Sequence, residues 1–222
     1  MAALSGSYFL GHSASKANST RYLVWFLWLT VFVEMLASYV VIAYYSNYRI
    51  FSFIENTSFQ NNYWLYNIYN VVGFSFLTLY FISFLKNKIW HRIFAFLTIV
   101  FIIIPGLFVV FSPHFFEPPS RFVVLARTLL LFFSILFFYF ELLSSNLLLS
   151  LQKFLPFYIS VGVLVFTLCV APLDILFHYF NISEGNDLFV KLRFDVLLYA
   201  NIFMYVTFIL GFLICSTKKK LY

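Results

Sequence analysis

Residues 122–143 read FVVLARTLLLFFSILFFYFELL. The stretch is apolar over the ~20 residues of helix that cross a bilayer core. Its ionisable groups are Arg127 and, near its end, Glu141. Barrel strands, the other way to span lipid, would alternate apolar and polar side chains over ~10 residues. Residues 123–138 show no such alternation. The segment is therefore a transmembrane helix, and the chain around it must be read in the same terms.

Five further stretches of the same kind occur, at 22–45, 64–85, 93–111, 157–177 and 194–215. Composition agrees with them. Of the 222 residues, 63% are hydrophobic and 10% charged, against about 45–50% and 25% in soluble domains. So few charges cannot coat a water-soluble globule. The fold class is all-α: a polytopic transmembrane bundle of six spans. Residues 1–21 form a cytoplasmic N-terminal segment, 22–215 the membrane domain, and 216–222 a basic cytoplasmic tail. Pro105-Gly106 in the third span and Pro172 in the fifth predict kinks.

Lys and Arg in the connecting segments set the orientation. With the N-terminus inside, the inner segments hold Lys16, Arg21, Lys86, Lys88, Arg92, Lys153 and Lys218 to Lys220, nine in all. The outer segments hold four: Arg49, Arg121, Lys191 and Arg193. The expectation is N-in and C-in. The same bias accounts for the net charge of +6 and removes the case for nucleic acid as a partner. Residues 1–21 lack the apolar stretch of a secretory signal. Cys169 and Cys215, with the scattered His12, His91, His114 and His178, give no metal spacing and no disulfide framework. No cofactor is implied. Asn18, Asn56 and Asn181 open glycosylation sequons, and Lys218-Lys219 of the tail resembles a dilysine retrieval signal; an ordinary membrane-anchoring tail explains the lysines equally well.

Function must then lie within the bundle, at its mouths or in its partners. Ionisable groups in a bilayer core cost ~2.5–3.5 kcal/mol or more, face the bundle interior and often mark function. Five stand out: Glu34, Arg127, Glu141, Asp174 and Asp195. In the fourth span Arg127, Ser134 and Glu141 recur every seven residues, close to two helical turns, and so share one face. Ser160, Thr167 and Asp174 repeat the pattern in the fifth, with His178 one turn on. Thr30, Glu34 and Ser38 form a stripe in the first, and Tyr66, Tyr69, Asn70, Gly73 and Tyr80 a face of the second.

By depth, Arg127, Asp174, Asp195, Tyr199, Tyr66 and Asn70 converge in the outer half. This predicts an outward-facing polar pocket. Arg127 is its anion anchor or structural centre, paired with Asp174 or Asp195, which alternatively serve as cation ligands. Tyr66, Asn70 and Tyr199 supply hydrogen bonds. Glu34 lies deeper, as a candidate proton-sensitive switch. Plainer readings stand beside these. The Arg–Asp pair can be interhelical glue, Asp195 a first-turn acid of the sixth helix, the Trp64–Tyr66 cluster an aromatic belt, and Glu141 an interfacial residue near Lys153.

The stretch Asn61-Asn62-Tyr63-Trp64-Leu65-Tyr66-Asn67-Ile68-Tyr69, following an acid-bearing helix with Glu34, resembles a group of uncharacterised multi-pass membrane proteins of Bacteroidota-type bacteria. The resemblance covers roughly residues 28–85, about a quarter of the chain. Those proteins tend to carry an additional leading span, and often an acid where this chain has Gly73. The resemblance implies architecture and a bacterial inner membrane. The alternative location is a eukaryotic endoplasmic reticulum or plasma membrane.

Three functions remain. The first is a non-enzymatic sensory or regulatory module that binds a ligand in the pocket and a membrane or cytoplasmic protein, or a second copy of itself. The second is a transporter or channel for small solutes, ions or protons that uses the intramembrane acids. The third is an intramembrane enzyme acting on lipid, for which Asp174 and His178 are the one acid–histidine set.

Overall fold

The computed structural model describes residues 1–12, 18–145, 151–176 and 187–216. His178, the Asn181 sequon and Lys218 to Lys220 lie outside the described residues. Among the described residues, seven α-helices run in chain order: α1 (Ala2–His12), α2 (Asn18–Tyr45), α3 (Tyr63–Ile82), α4 (Lys88–Phe111), α5 (Arg121–Leu143), α6 (Leu155–Leu176) and α7 (Asp187–Ser216). The last six are long and apolar enough to span a membrane. Large apolar side chains such as Phe32, Met35, Ile103, Phe111, Phe140 and Leu213 cover the outside. That surface suits lipid and no aqueous solvent. The protein is a multi-pass integral membrane protein.

Helix ends follow local chemistry. Asn87 caps α4 by accepting the Ile89 N–H at 2.9 Å, and Ser120 caps α5 by accepting that of Val123 at 3.3 Å. Both α4 and α6 run through their prolines, Pro105 and Pro172. Helix α7 begins seven residues before the expected span, at Asp187. The charges at Lys191 and Arg193 mark its first turns and not a loop.

The packing makes a ring. Helix α3 packs on α2, α4 and α5; α5 on α6; and α6, most extensively, on α7. Glycines allow that last approach: a Cβ on Gly211 would stand 2.8 Å from the Tyr158 Cβ, and one on Gly162 would collide with Thr207. Helix α4 lies outside the ring, against α3 and α5.

Helix α1 closes the circle between α7 and α2, packing on both. Sequence reading left residues 1–21 as a small, polar segment on the cytoplasmic side; the structure puts in it a helix packed into the bundle core. Ala2, Ala3, Gly6 and Phe9 are buried and recur at helical spacing. The alanines and Phe9 join a core containing Leu23, Phe26, Leu27, Phe208 and Phe212. Trp28 Nε1 donates to Ser7 Oγ at 2.9 Å. With 11 residues, α1 is about 16 Å long, so it closes the ring at one end only.

That end, the α1 end, is filled. Tyr80, Phe81, Phe84, Phe138 and Phe154 stack edge-on or face-on with ring centroids 5.1–6.2 Å apart. Leu131, Ile135, Ile159 and Val163 complete the same core. The opposite end carries the α2–α3 and α4–α5 loops and remains hollow.

Candidate functional site

A cavity of about 470 Å³ occupies the middle of the ring toward the opposite end. Its wall takes residues from α2, α3, α5, α6 and α7, and its rim includes Asn62, Pro118 and Pro119. The rim loop is held from below. Buried Asn67 donates through Nδ2 to the carbonyls of Phe115 and Glu117, each at 3.0 Å.

Arg127 stands two turns into α5 and is 9% exposed. One guanidinium nitrogen donates to Asp174 Oδ2 on α6 at 2.7 Å. The other donates to the Asn70 side-chain oxygen on α3. The guanidinium carbon lies 4.5 Å from the centre of the Phe74 ring, a cation–π contact. Its buried Nε–H has no acceptor among the described residues. Asp174 also accepts from Arg193 on α7 at 3.0 Å through its other oxygen. One carboxylate thus joins three helices.

A second polar group lies nearer the α1 end. Thr30 on α2 donates its hydroxyl hydrogen to the Phe26 carbonyl at 2.9 Å, leaving its oxygen to accept. Tyr69 of α3 donates to it at 2.8 Å, and Tyr205 of α7 lines the same cavity. These hydroxyls link α2 and α3 just beyond the reach of α1. Farther out, the cavity contacts Glu34 of α2, whose carboxylate accepts from the Tyr66 hydroxyl at 3.2 Å.

Five of the seven expected site residues line this one cavity: Glu34, Tyr66, Asn70, Arg127 and Asp174. Arg127 takes Asp174 as its partner, and not Asp195. Asp195 is half-buried and Tyr199 70% exposed; neither lines the cavity. Both sit on α7, whose cavity face is instead Arg193, Leu197, Asn201, Met204 and Tyr205. That face advances by three and four residues, so Asp195 and Tyr199 fall off it. Glu34 differs from its expectation as well: it is exposed rather than buried. The Glu141 carboxylate accepts the backbone N–H groups of Lys86 and Asn87 (the latter at 2.9 Å) at the start of α4.

Sequence reasoning missed Arg193 by assigning it to a loop. It missed Asn201 and Tyr205 because a lone amide and a lone tyrosine carry no weight in a 30-residue helix. The usable signal was spacing: Arg193, Leu197, Asn201 and Tyr205 recur every four residues. Chemically, the cavity offers guanidinium donors, carboxylates and hydroxyls above an apolar floor. Among the described residues, no three His, Cys, Asp or Glu come together as metal ligands.

No known protein family, curated protein or solved structure matches this chain.

Proposed function

We propose that the protein is a non-enzymatic sensory or regulatory membrane module that binds a ligand in the ring cavity. One observation carries the reading. The polar cavity is confined to one half of the ring, while stacked aromatic side chains fill the other half. A transporter or channel needs a polar path that continues past Tyr80, Phe81 and Phe138, and those side chains are at most 2% exposed.

The charges favour the cavity opening outward, and the resemblance of residues 28–85 supports a bacterial inner membrane. Arg21, Lys86, Lys88, Arg92 and Lys153 lie at the α1 end. Arg49, Arg121 and Lys191 lie at the other, where Arg193 is engaged by Asp174. Arg127, Asp174 and Arg193 join three helices around the ligand space. A ligand that shifts this cluster moves α5, α6 and α7 together, which is how binding reaches a membrane or cytoplasmic partner, or a second copy of the chain. The test is flux in liposomes containing the purified protein. The reading expects ion and proton flux equal to that of empty liposomes. Flux that Glu34→Gln or Asp174→Asn abolishes contradicts it.

A further inference from the structure

Two polar side chains of the cavity are incompletely partnered, and they have opposite character. On α5, the Arg127 Nε–H is buried without an acceptor among the described residues. On α2, the Glu34 carboxylate takes its described hydrogen bond from Tyr66. It forms no ion pair with a described basic residue. Both residues line the same cavity from different helices.

Each group is costly as it stands. An acid halfway along a spanning helix needs water or a cation. A buried donor needs an acceptor. A ligand bearing only negative charge would satisfy Arg127 and be repelled by Glu34 and Asp174. One bearing only positive charge would satisfy Glu34 and be repelled by Arg127 and Arg193. Between these groups the wall is apolar, formed by Phe26, Phe74, Leu77 and Val163.

Resting on the reading of the cavity as a ligand site, we infer that it takes a zwitterion with an apolar body. The anionic group accepts from Arg127, and the cationic group donates to Glu34. Two sources share this chemistry: a free amino-acid-like solute, or the headgroup of a zwitterionic lipid. The volume of about 470 Å³ lies in the range of ordinary small-molecule sites, ≈ 300–1,000 Å³.

The experiment is thermal unfolding of the purified full-length protein with charge-matched probes. These are L-phenylalanine as zwitterion, N-acetyl-L-phenylalanine as anion, L-phenylalanine methyl ester as cation, and lysophosphatidylethanolamine as the lipid zwitterion. A zwitterion should raise Tm and bind about tenfold or more tightly than either singly charged probe, as expected for one charge-assisted hydrogen bond. Glu34→Gln should erase that margin over the anion; the exposed position lets this variant fold. Stabilisation by phenylalanine assigns a solute, and stabilisation by the lysolipid alone assigns a lipid; either supports the proposal. An anion that binds as tightly as the zwitterion overturns it, as does a margin unchanged in Glu34→Gln, or no stabilisation by any probe.

Aqueous labelling of Asn201→Cys, in a chain with Cys169→Ser and Cys215→Ser, separates the two failures. If it is labelled while no probe binds, the zwitterion assignment fails and the ligand site stands. If it is unlabelled and no probe binds, both fail.

Discussion

Asp174 Oδ2 lies 2.7 Å from Arg127 across the α5–α6 interface, while Asp174 Oδ1 holds Arg193 at 3.0 Å. Both pairings depend on the one carboxylate. Asp174→Asn leaves two guanidinium groups facing each other in a largely buried space, at a cost of about 3–5 kcal/mol. Arg127→Met removes one cation and leaves Asp174 paired with Arg193, so its cost is smaller. Thermal unfolding in detergent should rank Asp174→Asn as the less stable variant; the reverse order would mean that the cluster is not organised around Asp174.

The Tyr80 side chain is fully buried within the aromatic plug, and its hydroxyl has no partner among the described residues. A stranded hydroxyl costs about 1–3 kcal/mol. Tyr80→Phe removes it with almost no change in shape, so the variant should unfold at a higher temperature than wild type. A lower Tm would show that the hydroxyl is paired in the folded protein.

Glu141 ties the end of α5 to the start of α4 through the N–H groups of Lys86 and Asn87. A carboxylate there also meets the positive end of the α4 dipole. Glu141→Ala should cost about 0.5–2 kcal/mol, and hydrogen exchange should rise first at residues 86–91. Exchange that rises uniformly instead would argue against this local role.

Gly211 and Gly11 make a matched pair. A Cβ on Gly211 meets Tyr158 of α6 at 2.8 Å, whereas one on Gly11 meets nothing within 4 Å. Gly211→Ala should destabilise by about 1–3 kcal/mol through overpacking. Gly11→Ala should be neutral or stabilising by up to about 1 kcal/mol, from helix propensity. Equal effects on Tm would contradict the close α6–α7 contact.

Hydropathy alone located all six spans, because lipid selects apolar side chains without regard to their neighbours. It was least informative at helix ends. Helix α7 continues through Lys191 and Arg193, since a helix carries charges freely where they find a partner or water. Depth and seven-residue spacing brought Arg127, Asn70 and Asp174 to one level, and these do meet. They failed on α7, where Asp195 and Tyr199 share the right depth but point to another side. Azimuth around a helix depends on which neighbours it packs against, and in membranes small residues such as Gly162 and Gly211 decide that. Helix α1 was hidden by its own composition. Its small residues look like a polar leader, although Ala2, Ala3, Gly6 and Phe9 already lie on one face.

The ring cavity is open at one end and sealed at the other by the aromatic plug. That arrangement is tested most directly by thiol labelling in sealed proteoliposomes of known orientation, in a chain with Cys169→Ser and Cys215→Ser. Asn201→Cys lines the cavity, and Ser134→Cys lies at a fully buried position on the sealed side. A membrane-impermeant maleimide should modify Asn201→Cys only when applied at the end carrying the α2–α3 loop, and should leave Ser134→Cys unmodified from either side. Modification of Asn201→Cys from both sides would reveal a continuous path, and its protection from both would reveal a dry cluster; either result contradicts the account.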